Sequence, residues 1–286
     1  MSVLKGSIGH LCSKYAIQPI KKSGMQNKLL IVVSFFIFSG AISCKSPENK
    51  PTKDEKTMKD FEKGSFGYDL MFLRDKDSGL VVLQSGDSLS QIIVSPKYQA
   101  KVFTSTSGGN AGKSFGWVNY KAFDGPADAH MNAYGGEDRL WLGPEGGKYS
   151  LFFKPGTKMI FDEWHTPPAI DTESWTKETQ TQQSVHMSKA ASLLNYAGTT
   201  LEMRLDRTVE ILPKANVEEA LGITIKEDVN EVGFKTVNTI VNVGKEEWNE
   251  KSGMPCLWSL DMFNPSEQCI IVIPYNEASG KIATTD

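Results

Sequence analysis

The clearest alternation of hydrophobic and polar positions lies in TLEMRLDRTVEIL, residues 200–212. Hydrophobic side chains occupy its odd-numbered positions from Leu201 to Ile211, and polar or charged ones occupy the even-numbered positions between them. Since successive side chains of a strand point to opposite faces, the pattern predicts an antiparallel strand with one buried face. Arg207 is the exception on the hydrophobic face, where a guanidinium needs a partner or access to water. A strand end or a bulge explains it as well as a ligand does.

Most of the chain after residue 65 shows similar strand patterns. Residues 232–243 are hydrophobic on both faces, which predicts a central strand, and Asn238 and Asn242 share one of these faces. Further strands are predicted at residues 67–73, 80–84, 91–95, 100–105, 139–142, 149–153, 184–188, 255–263 and 269–275. Only residues 217–221 predict a short helix. Many short strands separated by turn residues indicate an all-β fold, a large antiparallel β-sandwich.

The N-terminus has the pattern of an export signal. From Met25, the expected start codon, MQNKLLIVVSFFIFSGAISC contains a lysine, an apolar run and small residues before Cys44. The run is shorter than the roughly 20 apolar residues that span a bilayer, so a cleaved signal is favoured over an uncleaved anchor. The cysteine resembles a bacterial lipobox, which implies that Cys44 is lipidated and begins the mature chain.

These segments predict the domain organisation and the location of the protein. Residues 1–43 are an N-terminal extension and lipoprotein signal peptide, residues 44–64 a charged flexible tether, and residues 65–286 the β-sandwich domain. We expect a protein that is lipid-anchored to a membrane of the cell envelope, on the periplasmic or outer-membrane side. The last predicted strand, 269–275, is apolar and has few residues after it, so either it is internal in its sheet or the sequence is truncated. We expect truncation.

Composition and cysteine spacing narrow the chemistry further. The net charge of -3 gives no electrostatic reason to expect nucleic acid as a partner. The chain has no metal-ligand motif and no phosphate-binding loop, so neither a metal nor a cofactor is predicted. Cys256 and Cys269 are not opposite each other in the hairpin predicted around residues 264–267, which favours two buried thiols over a disulfide.

Two histidines stand out as candidate catalytic groups. The long irregular segment 155–183 contains Trp164 and His165 among acidic residues, and such a loop is a plausible ligand site or only surface decoration. His186 lies on the polar side of its predicted strand, where a solvent-facing position and a site on a concave sheet are both open. His130 has no partner pattern.

The stretch GGEDRLWLGPEGG, residues 135–147, predicts a hairpin connection between residues 139–142 and 149–153. Arg139 and Trp141 then share a strand face, and Glu145 lies in the turn. The three side chains form either a sugar subsite or an Arg–Glu pair that fixes the turn.

The segments at 135–156, 195–212 and 237–275 resemble a family of exported lipoproteins of unassigned function, with similarity over most of residues 66–275. The predicted architecture of that family is the galactose-mutarotase-like supersandwich, which implies a concave sheet face able to hold a sugar. In the aldose 1-epimerases of that superfamily a histidine is the general acid and a late glutamate the base. This chain ends before such a glutamate, and none of its histidines aligns with the epimerase motif.

We therefore expect an exported lipoprotein that binds or processes a carbohydrate. The alternatives are an aldose 1-epimerase-like, lyase-like or hydrolase-like enzyme, and a structural envelope lipoprotein without a small ligand. The candidate catalytic residues are His165, His186 and Glu145. The candidate binding residues are Arg139, Trp141, Trp164, Arg207, Asn238 and Asn242.

Overall fold

The computed structural model describes residues 57–272 of the chain. The predicted signal peptide, Cys44 and the tether up to residue 56 lie outside the described residues, as do residues 273–275 of the last predicted strand. The helices and strands are α1 (Phe66–Lys76), β1 (Val81–Gln84), β2 (Gln91–Ser95), β3 (Lys101–Thr106), β4 (Arg139–Gly143), β5 (Thr176–Gln180), β6 (Ser184–Leu194), β7 (Thr200–Leu212), α2 (Lys214–Leu221), β8 (Gly233–Asn242) and β9 (Cys256–Leu260). Within the described range, none of the helices has the length and hydropathy needed to cross a bilayer.

The strands form antiparallel sheets, which confirms the predicted all-β sandwich. The described residues contain a sheet β1-β2-β3, a pair β4-β9 and a sheet β5-β6-β7-β8. Hydrophobic side chains of all three sheets pack into one core, with Ile92, Leu142 and Leu205 as representatives. Helix α1 covers the other face of the first sheet, where Phe66 and Leu70 pack with Ile93.

Strand β7 confirms the alternation in the sequence, and it shows why Arg207 breaks it. The strand is paired along its length with β6 and with β8, and the register has no shift next to Arg207. The predicted strand end or bulge is therefore wrong. The Arg207 side chain is 0% exposed and lies in the core, where Asp138 provides the partner that a buried guanidinium requires.

Strand β8 differs from its prediction as a central strand. Among the described residues it pairs only with β7, so it is an edge strand of its sheet. Val237, on the face away from the core, is 50% exposed, which explains why hydrophobicity on both faces was misleading. Asn238 and Asn242 do share a face, opposite Arg207 and Met203 of β7.

Three other predicted strands are wrong in the structure. Residues 67–73 form most of α1, whose N-cap Ser65 accepts a hydrogen bond from the backbone of Tyr68. Residues 149–153 form no strand, because β9 occupies the place beside β4 that the predicted hairpin gave them. Residues 269–272 form none either. Short apolar runs do not distinguish strand from helix by periodicity alone.

Polar and charged segments also departed from the predictions. Strand β5 is exposed at every position, so it lacks the hydrophobic pattern that would reveal it, and it was missed. Cys256 and Cys269 are free, as predicted, but both are exposed rather than buried. Cys256 begins β9, a strand in which no position is fully buried. The helix predicted at residues 217–221 is confirmed as the C-terminal part of α2.

Candidate functional site

Stacked aromatic side chains form a cluster in the loops before β4 and β5, called the ring cluster below. Its members are His130, Phe152, Phe161, Trp164 and His165. The ring centroids are 5.2 Å apart for Phe152 and Trp164, and 4.5 Å apart for Phe161 and His130. The two imidazole rings are 4.9 Å apart and nearly parallel, with an angle of 4° between their planes. The cluster contains both residues that the sequence singled out in the loop, Trp164 and His165.

Reciprocal hydrogen bonds hold the two histidines in place. His130 Nδ1 is 2.7 Å from the carbonyl oxygen of Trp164, and His165 Nδ1 is 2.7 Å from the carbonyl oxygen of Ala129. The backbone N–H of His165 also donates to Phe152. Because a carbonyl oxygen only accepts, each Nδ1 is a donor, and the neutral ring keeps an unprotonated Nε2.

A buried carboxylate fixes the loop that carries His130. Asp171 accepts hydrogen bonds from the backbone and the side-chain amide of Asn132, with 2.7 Å between Asn132 Nδ2 and Asp171 Oδ2. The Asn132 side chain accepts from the backbone of Asp128, whose carboxylate accepts from the backbone N–H of His130. These bonds connect the ring cluster to the protein interior and fix the position of the His130 loop.

The ring cluster is exposed at one end and packed at the other. Phe161 is 69% exposed, whereas Trp164 is half-buried and packs against the core. Asp162 and Glu163 follow Phe161 in a short 3-10 helix, Phe161–Glu163. The surface at this end therefore combines a flat apolar ring with carboxylates and imidazole nitrogens.

A second group of polar side chains lies on the outer face of the β5–β8 sheet. His186 Nε2 is 3.2 Å from Asp206 Oδ1, and Arg204 donates two hydrogen bonds of 2.8 Å to the same carboxylate. The hydrogen bond and the charge of Asp206 raise the pKa of Arg204. Since the carboxylate accepts, His186 presents its other nitrogen, Nδ1, which has no hydrogen-bond partner within residues 57–272.

The side chains of the glycine-rich stretch 135–147 contact one another, but differently from the prediction. Trp141 Nε1 donates to Glu145 Oε1 at 2.7 Å, so a Trp–Glu contact fixes the turn rather than the predicted Arg–Glu pair. The Arg139 guanidinium stacks on the Trp141 ring at 4.3 Å. Arg139 and Trp141 are buried, and burial lowers the pKa of Arg139 to about 10, against the opposing charge of Asp171. The predicted role of Arg139 and Trp141 in ligand binding stays a prediction.

The remaining candidate binding residues lie around β7 and β8. Arg207 donates to Ala100 O at 2.8 Å and to Asn238 Oδ1 at 2.7 Å, in addition to its ion pair with Asp138. Asn242 donates to the backbone of Glu246 and lines a shallow surface depression with Thr200 and Glu202. The structure therefore does not gather the predicted site residues into one pocket.

Several members of these groups were missed as site residues: His130, Phe152, Phe161, Arg204 and Asp206. His130 is far from Trp164 along the chain, and no local pattern predicts their contact. Asp206 occupies an outward position of β7, and the register of β6 with β7 brings it beside His186. A correct strand register would have predicted that pair, whereas the ring cluster depends on loop geometry. In the part of the chain that the structure describes, no group of three or more metal-binding side chains is present.

Comparison with known proteins gives a family without an assigned role. A family model, described as a family of unknown function (DUF6786), matches residues 64–286. The match includes the ring cluster and the His186–Asp206 pair. No curated protein and no solved structure matches the chain.

Proposed function

Because the chain belongs to this family of unknown function (DUF6786), we propose a function from the chemistry of its own surface: the protein binds a carbohydrate at the ring cluster. The observation that carries the proposal is the exposed face of Phe161 at the end of a fixed stack of rings. Sugars have an apolar C–H face and a rim of hydroxyl groups, and sites for such ligands combine aromatic surface with a few placed polar groups.

The proposed biological setting follows from the sequence. The protein is exported, is anchored to a membrane through a lipid on Cys44, and binds its sugar in the cell envelope. The proposed architecture is of the galactose-mutarotase type, and the antiparallel sheets that share one core support it. Binding without chemistry is the first form of the proposal, since the ring cluster has a platform and acceptors but no arranged acid and base.

Replacing Phe161 with alanine is expected to weaken sugar binding about tenfold or more, which corresponds to roughly 1.4 kcal/mol of lost contact. A glycan array identifies the sugar, and titration calorimetry on the purified protein measures the dissociation constant. The matched control is Ile160→Ala, because Ile160 is also exposed, at 51%, and its side chain is not a ring of the cluster. If no sugar binds at millimolar concentration, the protein is instead a structural envelope lipoprotein.

The second candidate function is an aldose 1-epimerase-like activity, and the His186–Asp206 pair favours it. Mutarotation needs a base that takes the proton of the anomeric hydroxyl and an acid that protonates the ring oxygen. Asp206 orients the imidazole of His186 and leaves Nδ1 available for proton transfer. The pair is partly buried, and Arg204 holds the carboxylate in position.

If this enzyme activity exists, His186→Gln lowers the rate of anomer exchange by roughly 100-fold or more, as expected for a positioned acid–base group. Exchange spectroscopy by NMR on several free sugars measures the rate with and without protein. The variant Lys235→Gln is the control, since Lys235 lies in the same sheet and forms its ion pair with Glu210 rather than with Asp206. A wild-type rate equal to that of buffer alone refutes the enzyme.

A further inference from the structure

The ring cluster presents hydrogen-bond acceptors rather than donors to a ligand, and this limits the class of sugar that it can bind. We infer that the site selects uncharged, hydroxyl-rich sugars and discriminates against uronates and other anionic sugars. The inference rests on the proposed carbohydrate binding and adds the class of sugar. It follows from which ring nitrogen of each histidine carries the hydrogen, and from the charged residues next to Phe161 in the chain.

The histidine contribution comes from the hydrogen bonds that their Nδ1 atoms make. Both Nδ1 atoms donate to backbone carbonyl oxygens, of Trp164 and of Ala129, so each neutral ring carries its proton on Nδ1. No described residue forms a hydrogen bond with either Nε2, and both side chains are partly exposed. The free Nε2 lone pairs accept hydrogen bonds from sugar hydroxyls, and they offer nothing to a carboxylate, which only accepts.

The negative charges near the rings also disfavour binding of an anionic sugar. Asp162 and Glu163 follow the exposed Phe161 ring directly, and neither forms an ion pair with a residue of the range 57–272. Asp128 is also next to His130, and the hydrogen bonds from the backbone N–H groups of His130 and Met131 lower the pKa of its carboxyl. Three carboxyl groups therefore belong to residues within two positions of Phe161 or His130 in the chain, and their negative charge disfavours an anionic ligand there.

The nearby lysines do not offset these negative charges at the ring cluster. Lys154 and Lys158 are exposed in the segment before Phe161. Among the described residues, neither lysine lies over an aromatic ring or forms an ion pair. Their long side chains remain hydrated, whereas the imidazole nitrogens are fixed against the rings that the sugar contacts.

The test uses sugar pairs that differ only at C6: glucose and glucuronate, galactose and galacturonate, and mannose and mannuronate. Ligand-observed NMR at neutral pH measures the dissociation constants of both members of each pair. The uronate of each bound pair is expected to bind about tenfold more weakly than its uncharged partner, because it meets no donor and several negative charges. Nitrogen NMR shifts of the two imidazoles are expected to show the Nδ1–H form.

A variant without the two carboxylates tests their contribution directly. Asp162→Asn combined with Glu163→Gln is expected to bind the uronates more tightly, so that the dissociation constants of the uronate and the uncharged sugar in each pair become more similar. The control, Glu246→Gln combined with Glu247→Gln, removes the same net charge at another exposed position and is expected to leave the ratio unchanged. Equal binding of both members of each pair overturns the selectivity and leaves sugar binding intact. Binding of neither member, together with an empty glycan array, overturns sugar binding as well.

Discussion

Replacing Arg207 with methionine is expected to lower the free energy of unfolding by about 3–5 kcal/mol, the usual cost of breaking a buried ion pair from one side. Arg207 is fully buried and contacts Asp138, Asn238 and the backbone of Ala100. Ala100 directly precedes β3, Asp138 directly precedes β4 and Asn238 lies within β8, so one guanidinium joins the three sheets of the described residues. Methionine fills much of the volume but leaves the Asp138 carboxylate in the core without this cation.

The matched control is Arg204→Met on the same strand. Arg204 also pairs with an aspartate through two hydrogen bonds, but it points to the solvent side of β7 and is largely exposed. Exposed pairs of this kind contribute about 0–1 kcal/mol, so the control is expected to lose little stability. Denaturant unfolding measures both variants. Equal losses in the two variants contradict the assignment of Arg207 as the residue that joins the sheets.

The double variant Arg207→Met with Asp138→Asn separates lost charge pairing from lost packing. Removing the second charge takes away the desolvated carboxylate, so the double variant is expected to be more stable than Arg207→Met alone. Asn238 loses its contact with the guanidinium in both variants. If the second substitution restores no stability, the cost of Arg207→Met comes from packing.

The strands with a simple environment were the ones that the sequence predicted well. Strand β7 has one face in the core along its whole length and the other exposed or partly exposed, so its alternation reports its structure directly. Helix α1 was missed because its run of apolar residues is short, and the sheet face on which it packs is formed by residues distant in the chain. Strand β8 was misplaced because valines on an outer face look the same in sequence as valines in a core.

The candidate site was less predictable than the fold, for a physical reason. The sequence predicts Trp164 and His165 as site residues because the loop that contains them is rich in aromatic and acidic residues. His130, which stacks on His165 and donates to the backbone of Trp164, lies in another loop, whose position depends on hydrogen bonds from Asn132 to the buried Asp171. The strand pair of His186 and Asp206 depends on register, which the hydrophobic pattern alone did not provide.

Gly135, in the glycine-rich stretch 135–147, lies where the backbone of another segment approaches closely. Gly135→Ala is expected to lower the free energy of unfolding by about 2–4 kcal/mol, the sum of a left-handed backbone cost and a steric clash. Gly135 has φ of +83°, and an added Cβ would lie 2.3 Å from the carbonyl oxygen of Trp117. Its own carbonyl accepts a hydrogen bond from Nζ of the buried Lys101 at 2.7 Å, so the backbone has little freedom to move away.

Gly147→Ala isolates the backbone contribution from the clash. Gly147 has φ of +80°, almost the same φ as Gly135, but no atom lies within 4 Å of the position of an added Cβ. The expected loss is about 1 kcal/mol, since the left-handed cost is partly offset by the reduced freedom of the unfolded chain. Denaturant midpoints of both variants measure the difference. A Gly135→Ala variant no less stable than Gly147→Ala would show that the backbone around Trp117 shifts at little cost to accommodate the added methyl group. In that case Gly135 would serve only to permit the turn, and the close backbone approach before β4 would contribute nothing to the fold.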